Sequence, residues 1–209
     1  MRHLPLSLRR LARLAALPLV LSASLAHAQA TGPVVRIRGV LQEVSATSIT
    51  VKERGTNEII PLAVNDKLVV GEVYPITLAD IKAGSYIGAA ALPQADGSQR
   101  AIAITVFPES ARGTGDGHRP FDLMPQSTMT NATVADVVAA PSGRSMKLKY
   151  KDGEQTLVVP PEAPVVTFRP GDRSLLVPGA SVSLSATMIE GTPTALRVNA
   201  GRNGFALPY

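Results

Sequence analysis

Residues 47–64 read TSITVKERGTNEIIPLAV, and residues 144–159 read RSMKLKYKDGEQTLVV. Ile49-Thr50-Val51-Lys52 alternates apolar with polar, and Met146, Leu148 and Tyr150 alternate with Lys147, Lys149 and Lys151. Period-two alternation places one set of side chains on each face of a strand, so both stretches read as hairpins with one buried face. Gly55 in the first corresponds to Gly153 in the second.

The likeness extends outward in both directions. Before the hairpins lie VVRIRGVLQEV (residues 34–44) and TNATVADVVAA (residues 130–140). After them come short connections containing LADIKAG (residues 78–84) and RSLLVPG (residues 173–179), which align Gly84 with Gly179. Each connection leads to a further hairpin, SYIGAAAL with QRAIAITV in the first half and ASVSLSATMI with TALRVN in the second. Few identities survive, but the order of strand, hairpin, connection and hairpin occurs twice. About five strands in about seventy residues suits a small Greek-key barrel of the oligonucleotide- and oligosaccharide-binding type, with the connection capping one end.

Elsewhere the chain is equally β-like. Residues 101–106 alternate, and Asp96-Gly97, Asp152-Gly153 and Ser142-Gly143 supply tight turns. Residues 77–82 allow a turn or two of helix stopped by Gly84, and no window carries a long helical period. The expected fold is therefore all-β, with two tandem small OB-like Greek-key barrels joined by a long glycine-rich loop. Residues 1–28 read as a signal peptide, residues 29–106 as the first barrel and residues 107–130 as the loop. Residues 131–200 read as the second barrel and residues 201–209 as a C-terminal tail. Barrels this small have limited cores and are expected to pack on each other.

Arg2, Arg9, Arg10 and Arg13 precede an apolar run ending near Leu21 and then Ala26-His27-Ala28, the layout of a signal peptide cleaved after Ala28. This predicts a periplasmic or secreted protein. The Arg9-Arg10 pair also leaves twin-arginine export open beside the general secretory route. Without the leader's four arginines the chain has 17 basic residues against 16 acidic, so the formal charge of +5 falls to +1. No global field then favours nucleic acid or an anionic membrane surface. Lys147, Lys149 and Lys151 read as the solvated face of a strand. The sequence has no cysteine, which excludes a disulfide framework and a cysteine-anchored lipoprotein. After the leader no apolar run reaches the ~18 residues of a membrane span. Tyr209 resembles the terminal aromatic of an outer-membrane barrel, but the strands are shorter than such barrels need. Asn131-Ala132-Thr133 matches a glycosylation sequon and reads as part of a strand.

Residues 107–131, FPESARGTGDGHRPFDLMPQSTMTN, gather charge, glycine and the sole histidine beyond the leader, His118. Gly113, Gly115 and Gly117 alternate with Thr114 and Asp116, a backbone able to turn its amides towards an anion. Arg112 and Arg119 flank it with planar donor forks suited to carboxylate or phosphate. The alternative is that these arginines pair with Glu109, Asp116 or Asp122 and pin the loop to the barrels. One histidine without cysteine argues against zinc or copper, and Asp116 and Asp122 are weak candidates for a hard cation lacking calcium-loop spacing. A hydrolase would need His118 to serve Ser110, Ser127 or Thr128, with Asp122 or Asp136 orienting it, and no nucleophile-elbow motif accompanies it.

RGTGDGHRPFDL (residues 112–123) and STMTNATV (residues 127–134), together with the strand, LADIKAG, strand layout before them, resemble secreted bacterial proteins of the DUF5666-like type. The resemblance covers most of the chain after the leader. It implies a tandem small-barrel fold and an exported location, and it carries no activity.

The expected function is a non-catalytic binding or interaction module, an accessory to envelope assembly or transport. Its candidate ligand-binding residues are Arg112, Gly113, Gly115, Gly117, His118 and Arg119. No catalytic residue, metal or cofactor is assigned. The expected partner is an anionic small molecule or an envelope protein, and nucleic acid is not expected. The alternatives are a hydrolase centred on His118 and a purely structural protein whose central segment fastens the barrels together.

Overall fold

The computed structural model describes residues 32–140 and 143–209; the expected signal peptide lies outside them. Thirteen strands form one continuous sheet among the described residues. The first repeat contributes β1 (Val35–Val44), β2 (Ser48–Glu53), β3 (Ile59–Ala63), β4 (Val69–Ile76), β5 (Tyr86–Pro93) and β6 (Gln99–Val106). A short strand β7 (Gly117–Pro120) follows. The second repeat contributes β8 (Thr128–Ala140), β9 (Gly143–Tyr150), β10 (Gly153–Val159), β11 (Val165–Pro170), β12 (Ser181–Ile189) and β13 (Thr192–Gly201). The chain is thus all-β, as its alternation implies, with single helical turns at Leu78–Asp80 and Arg173–Leu175 in the two matching connections.

Repeats and barrels do not coincide. The meander β1-β2-β3 is closed by β12 and β13: β12 lies antiparallel to β1, and β13 meets β3 in parallel through Thr194 and Ala63. Likewise β8-β9-β10 is closed by β5 and β6, with β5 antiparallel to β8 and β6 parallel to β10. The two repeats have exchanged their last hairpins. Residues 29–106 are therefore a repeat in sequence but not a closed barrel in space, and the same holds for residues 131–200. The burial pattern demands only that Ile87 and Ala89, or Val182 and Leu184, be inside a barrel, and either barrel satisfies that demand.

The cores follow the exchange. Leu41, Val51 and Leu62 pack with Leu175, Val182 and Val198 in the first barrel, and Ile81, Ile87 and Ile104 pack with Val134, Leu148 and Leu157 in the second. Ile81 and Leu175 come from the two connections, so each connection plugs the barrel built on the other repeat's meander. Where the chain crosses over, β4 and β11 run antiparallel, with Val73 opposite Phe168. They are flanked symmetrically by β13 parallel to β4 and β6 parallel to β11. This central quartet relates the repeats by an approximate two-fold axis. Beside it, Glu72 is buried and takes bidentate donation from Arg169 and Arg202, which holds its carboxyl down at about 2.

The stretch expected as a loop, residues 107–130, is partly sheet. β7 lies antiparallel to the first residues of β8, pairing Gly117 with Asn131 and Arg119 with Met129. The tail is also ordered against the sheet: Phe205, Leu207 and Tyr209 pack with Val73, Val166 and Phe168.

Candidate functional site

The outer faces of the two barrels meet above β4 and β11. Matching residues stand side by side there: Arg38, Ser183 and Asn199 across β1, β12 and β13, and Asn131, Gly88 and Thr105 across β8, β5 and β6. Between these faces lies a cavity of about 460 Å³. Its floor is apolar and aromatic, from Val73, Phe107, Phe168, Leu207 and Tyr209. Phe107 meets Tyr86 and Phe168 edge to face, at 5.4 Å and 5.6 Å between ring centroids. The Tyr209 hydroxyl bonds the Thr105 hydroxyl, and burial pushes the Tyr209 phenol up.

The walls are basic and polar. Arg36, Arg119 and Arg197 line the cavity, together with Ser183, Asn199 and Asn131. None of the three arginines has a carboxylate within ion-pair distance among the described residues. In contrast, Arg38, Arg100, Arg112, Arg169 and Arg202 are all paired. Arg119 donates one nitrogen to the Gly115 carbonyl at 2.8 Å, and Arg36 contributes only a longer-range charge to Asp122. Asn131 is 5% exposed, and its Oδ1 has no hydrogen-bond partner among the described residues. Gly88 keeps room for it, since a Cβ there would lie 2.9 Å from that oxygen.

Of the six residues singled out by sequence, Gly115 and Arg119 reach this cavity. Arg112 instead pairs with Glu109 at 2.6 Å and with the Gly84 carbonyl at 2.9 Å, which holds Glu109 below the usual carboxylate range. Gly113 and Gly117 serve the backbone path, with φ of 83° and 128°. His118 Nδ1 lies 2.8 Å from the Thr130 hydroxyl, and its ring stacks on Tyr150. Burial and the neighbouring Arg119 charge lower its pKa. The hydroxyl beside His118 is thus not one of the three expected, and Thr130 is 1% exposed, too buried to attack a substrate. Ser127 is committed to Phe121 and Met124 backbone groups.

The two candidate cation ligands are employed separately. Asp116 accepts from the Lys151 amide at 2.7 Å and from Tyr86, whose phenol is pushed up to about 12 by burial and by that carboxylate. Asp122 accepts from Arg38 at 2.7 Å, which depresses its pKa, and Arg38 stacks over Phe121. Among the described residues no group of three or more His, Cys, Asp or Glu side chains could hold a metal ion. The central segment therefore fastens the barrels, through Asp116 to one and Asp122 to the other, while Arg119 turns into the groove.

Sequence reasoning missed Arg36, Arg197, Asn199 and the aromatic floor as a site. Arg36 and Arg197 each sit at a solvent-facing position of an alternating strand, where a charged residue is ordinary. Only the exchange of hairpins brings β1, β13 and the central segment to one groove. No helix among the described residues is long and apolar enough to cross a membrane. No family model, curated protein or solved structure matches the chain.

Proposed function

We propose that the protein is a non-catalytic binding module whose ligand carries anionic groups and sits in the groove between the barrels. The observation that carries this reading is the set Arg36, Arg119 and Arg197 around one aromatic-floored cavity, none of them ion-paired among the described residues. Three guanidinium groups lining one cavity make it locally electropositive, which favours an anion there. The floor supplies apolar contact for the rest of the ligand. With a net charge of +1 beyond the leader, attraction is local to the groove, which favours a small anion or an acidic protein segment over a nucleic acid. The leader-like N-terminus supports an exported module, in the periplasm or outside the cell, where the proposed role is that of an accessory to envelope assembly or transport.

Thermal unfolding in the presence of citrate and of inorganic pyrophosphate tests the site. A ligand at a hundred times its Kd stabilises by about 2.7 kcal/mol, a shift of several degrees. The shift is expected in the wild type and in Arg112→Ala, and is expected to disappear in the Arg36→Ala/Arg197→Ala double variant. Equal shifts in all three proteins would place anion binding elsewhere.

A further inference from the structure

The approximate two-fold relation supplies an internal comparison. In the second barrel β7 lies along the outer edge of β8 at residues 128–131, antiparallel, with Arg119 opposite Met129. The matching ladder rows make residues 35–38 of β1 the counterpart of that edge, with Arg36 in the place of Met129. Pairing of β2 with β1 ends at Gly39 opposite Glu53, and the Arg54 amide then takes the Arg38 carbonyl at 2.8 Å. Among the described residues no strand lies beside residues 35–37 on that side. Val34 and Val35 are 61% and 48% exposed. One barrel thus carries a built-in added strand, and its twin has none beside residues 35–37 among the described residues.

We propose that this edge of β1 receives an extended acidic segment of a partner protein, paired antiparallel as β7 is with β8, with an aspartate or glutamate opposite Arg36. This rests on the groove reading above and names the kind of ligand. Directly opposed residues on antiparallel strands project to the same face, with Cβ atoms about 4.5–5.5 Å apart. Arg36 lines the groove, so the residue facing it enters the groove too, as Arg119 does from β7. An acidic side chain there meets Arg36 directly and lies in the field of Arg119 and Arg197. The main chain supplies the hydrogen bonds, and the alternate side chain supplies the selectivity, the division of labour in strand addition. A second copy of this chain fits worse. Two β1 edges paired about a two-fold axis at Arg36 would set Arg36 against Arg36 of the other copy, and like charges facing each other across strands destabilise the pair.

The test uses fluorescein-labelled eight-residue peptides alternating glutamate with glycine, threonine or valine, titrated into the purified protein and followed by polarisation. Matched peptides carry lysine for glutamate, or N-methyl groups on alternate amides. At least one glutamate peptide is expected to bind, its lysine form not to bind, and its N-methyl form to bind at least tenfold more weakly. Arg36→Gln is expected to weaken it about tenfold, and the Arg36 amide is expected to exchange hydrogen more slowly with peptide present. If citrate stabilises the protein through Arg36 and Arg197 but N-methylation changes nothing, the groove reading stands and strand addition is wrong. If neither citrate nor any peptide binds, both are wrong. An Arg36 amide already protected in the free protein shows the edge filled by the chain's own residues. A dimer in sedimentation that the peptide dissociates shows it filled by a second copy; either result overturns the proposal.

Discussion

Arg38 and Asn131 occupy equivalent positions on the two barrels, and each has a buried side-chain atom with no partner among the described residues, Arg38 Nε and Asn131 Oδ1. Each also anchors the central segment, Arg38 through Asp122 and Asn131 by donating to the Thr114 carbonyl at 2.9 Å. Asn131→Ala removes a buried hydrogen bond and is expected to cost about 1 kcal/mol in urea unfolding. The same variant is expected to weaken citrate stabilisation, because Thr114 and Gly115 border the groove. A variant as stable as wild type would show that this bond does not hold the segment.

Glu72 gives the fold an acid sensitivity. Its folded carboxyl titrates at about 2, well below the ordinary 4.5, because Arg202 and Arg169 donate to the ionised form. A depressed carboxylate contributes stability that is present above its unfolded pKa and is lost as pH falls through the folded one. Melting temperature is therefore expected to drop between about pH 4.5 and pH 2 more steeply in the wild type than in Glu72→Gln. Parallel profiles would show that Glu72 is not the group responsible.

Gly84 and Gly179 both adopt left-handed backbone, with φ of 89° and 86°. Each donates its amide across to the barrel that its hairpin enters, Gly84 to Val134 and Gly179 to Leu41, both at 2.8 Å. A Cβ would meet nothing at either place, so alanine is opposed only by the backbone conformation. Gly84→Ala and Gly179→Ala are each expected to destabilise by about 1–2 kcal/mol, and by similar amounts, in denaturant unfolding. Costs differing by more than about 1 kcal/mol would contradict the equivalence of the two connections.

Because the hairpins are exchanged, neither repeat holds a closed barrel of its own. Residues 29–106 expressed alone, and residues 131–209 alone, are each expected to lack a cooperative thermal transition. Mixed, the two pieces are expected to recover one. Independent cooperative melting of either piece, followed by circular dichroism, would show that the exchange is dispensable.

Strand patterns were legible because alternation reports burial directly, as at Ile49 and Val51 or Met146 and Leu148. The matched glycines Gly84 and Gly179 were legible for a similar reason, since each marks where a connection must turn. Partner choice was not, because Ile87 and Ala89 would be equally buried in either barrel, and nothing local to β5 names β8 as its neighbour. For the site, Arg119 and Gly115 stood out by their glycine-rich setting. Arg112 stood out for the same reason but is absorbed by Glu109 three residues earlier, a pairing the sequence left open. Arg36 and Arg197 carry no local signal at all, and their importance arises only from tertiary placement.

The exchanged hairpins also set the order in which the molecule can be built. The first barrel's meander is complete by Ala63, yet its closing strands begin at Ser181, so most of the chain must be made before that barrel can shut. The second barrel needs nothing beyond Val159 to close its ring, so it is the one able to form first. Folding dominated by such distant pairings is slow. Until the C-terminal hairpin docks, residues 35–40 of β1 lack their β12 partner, and the unfinished barrel is the state most exposed to joining with another chain.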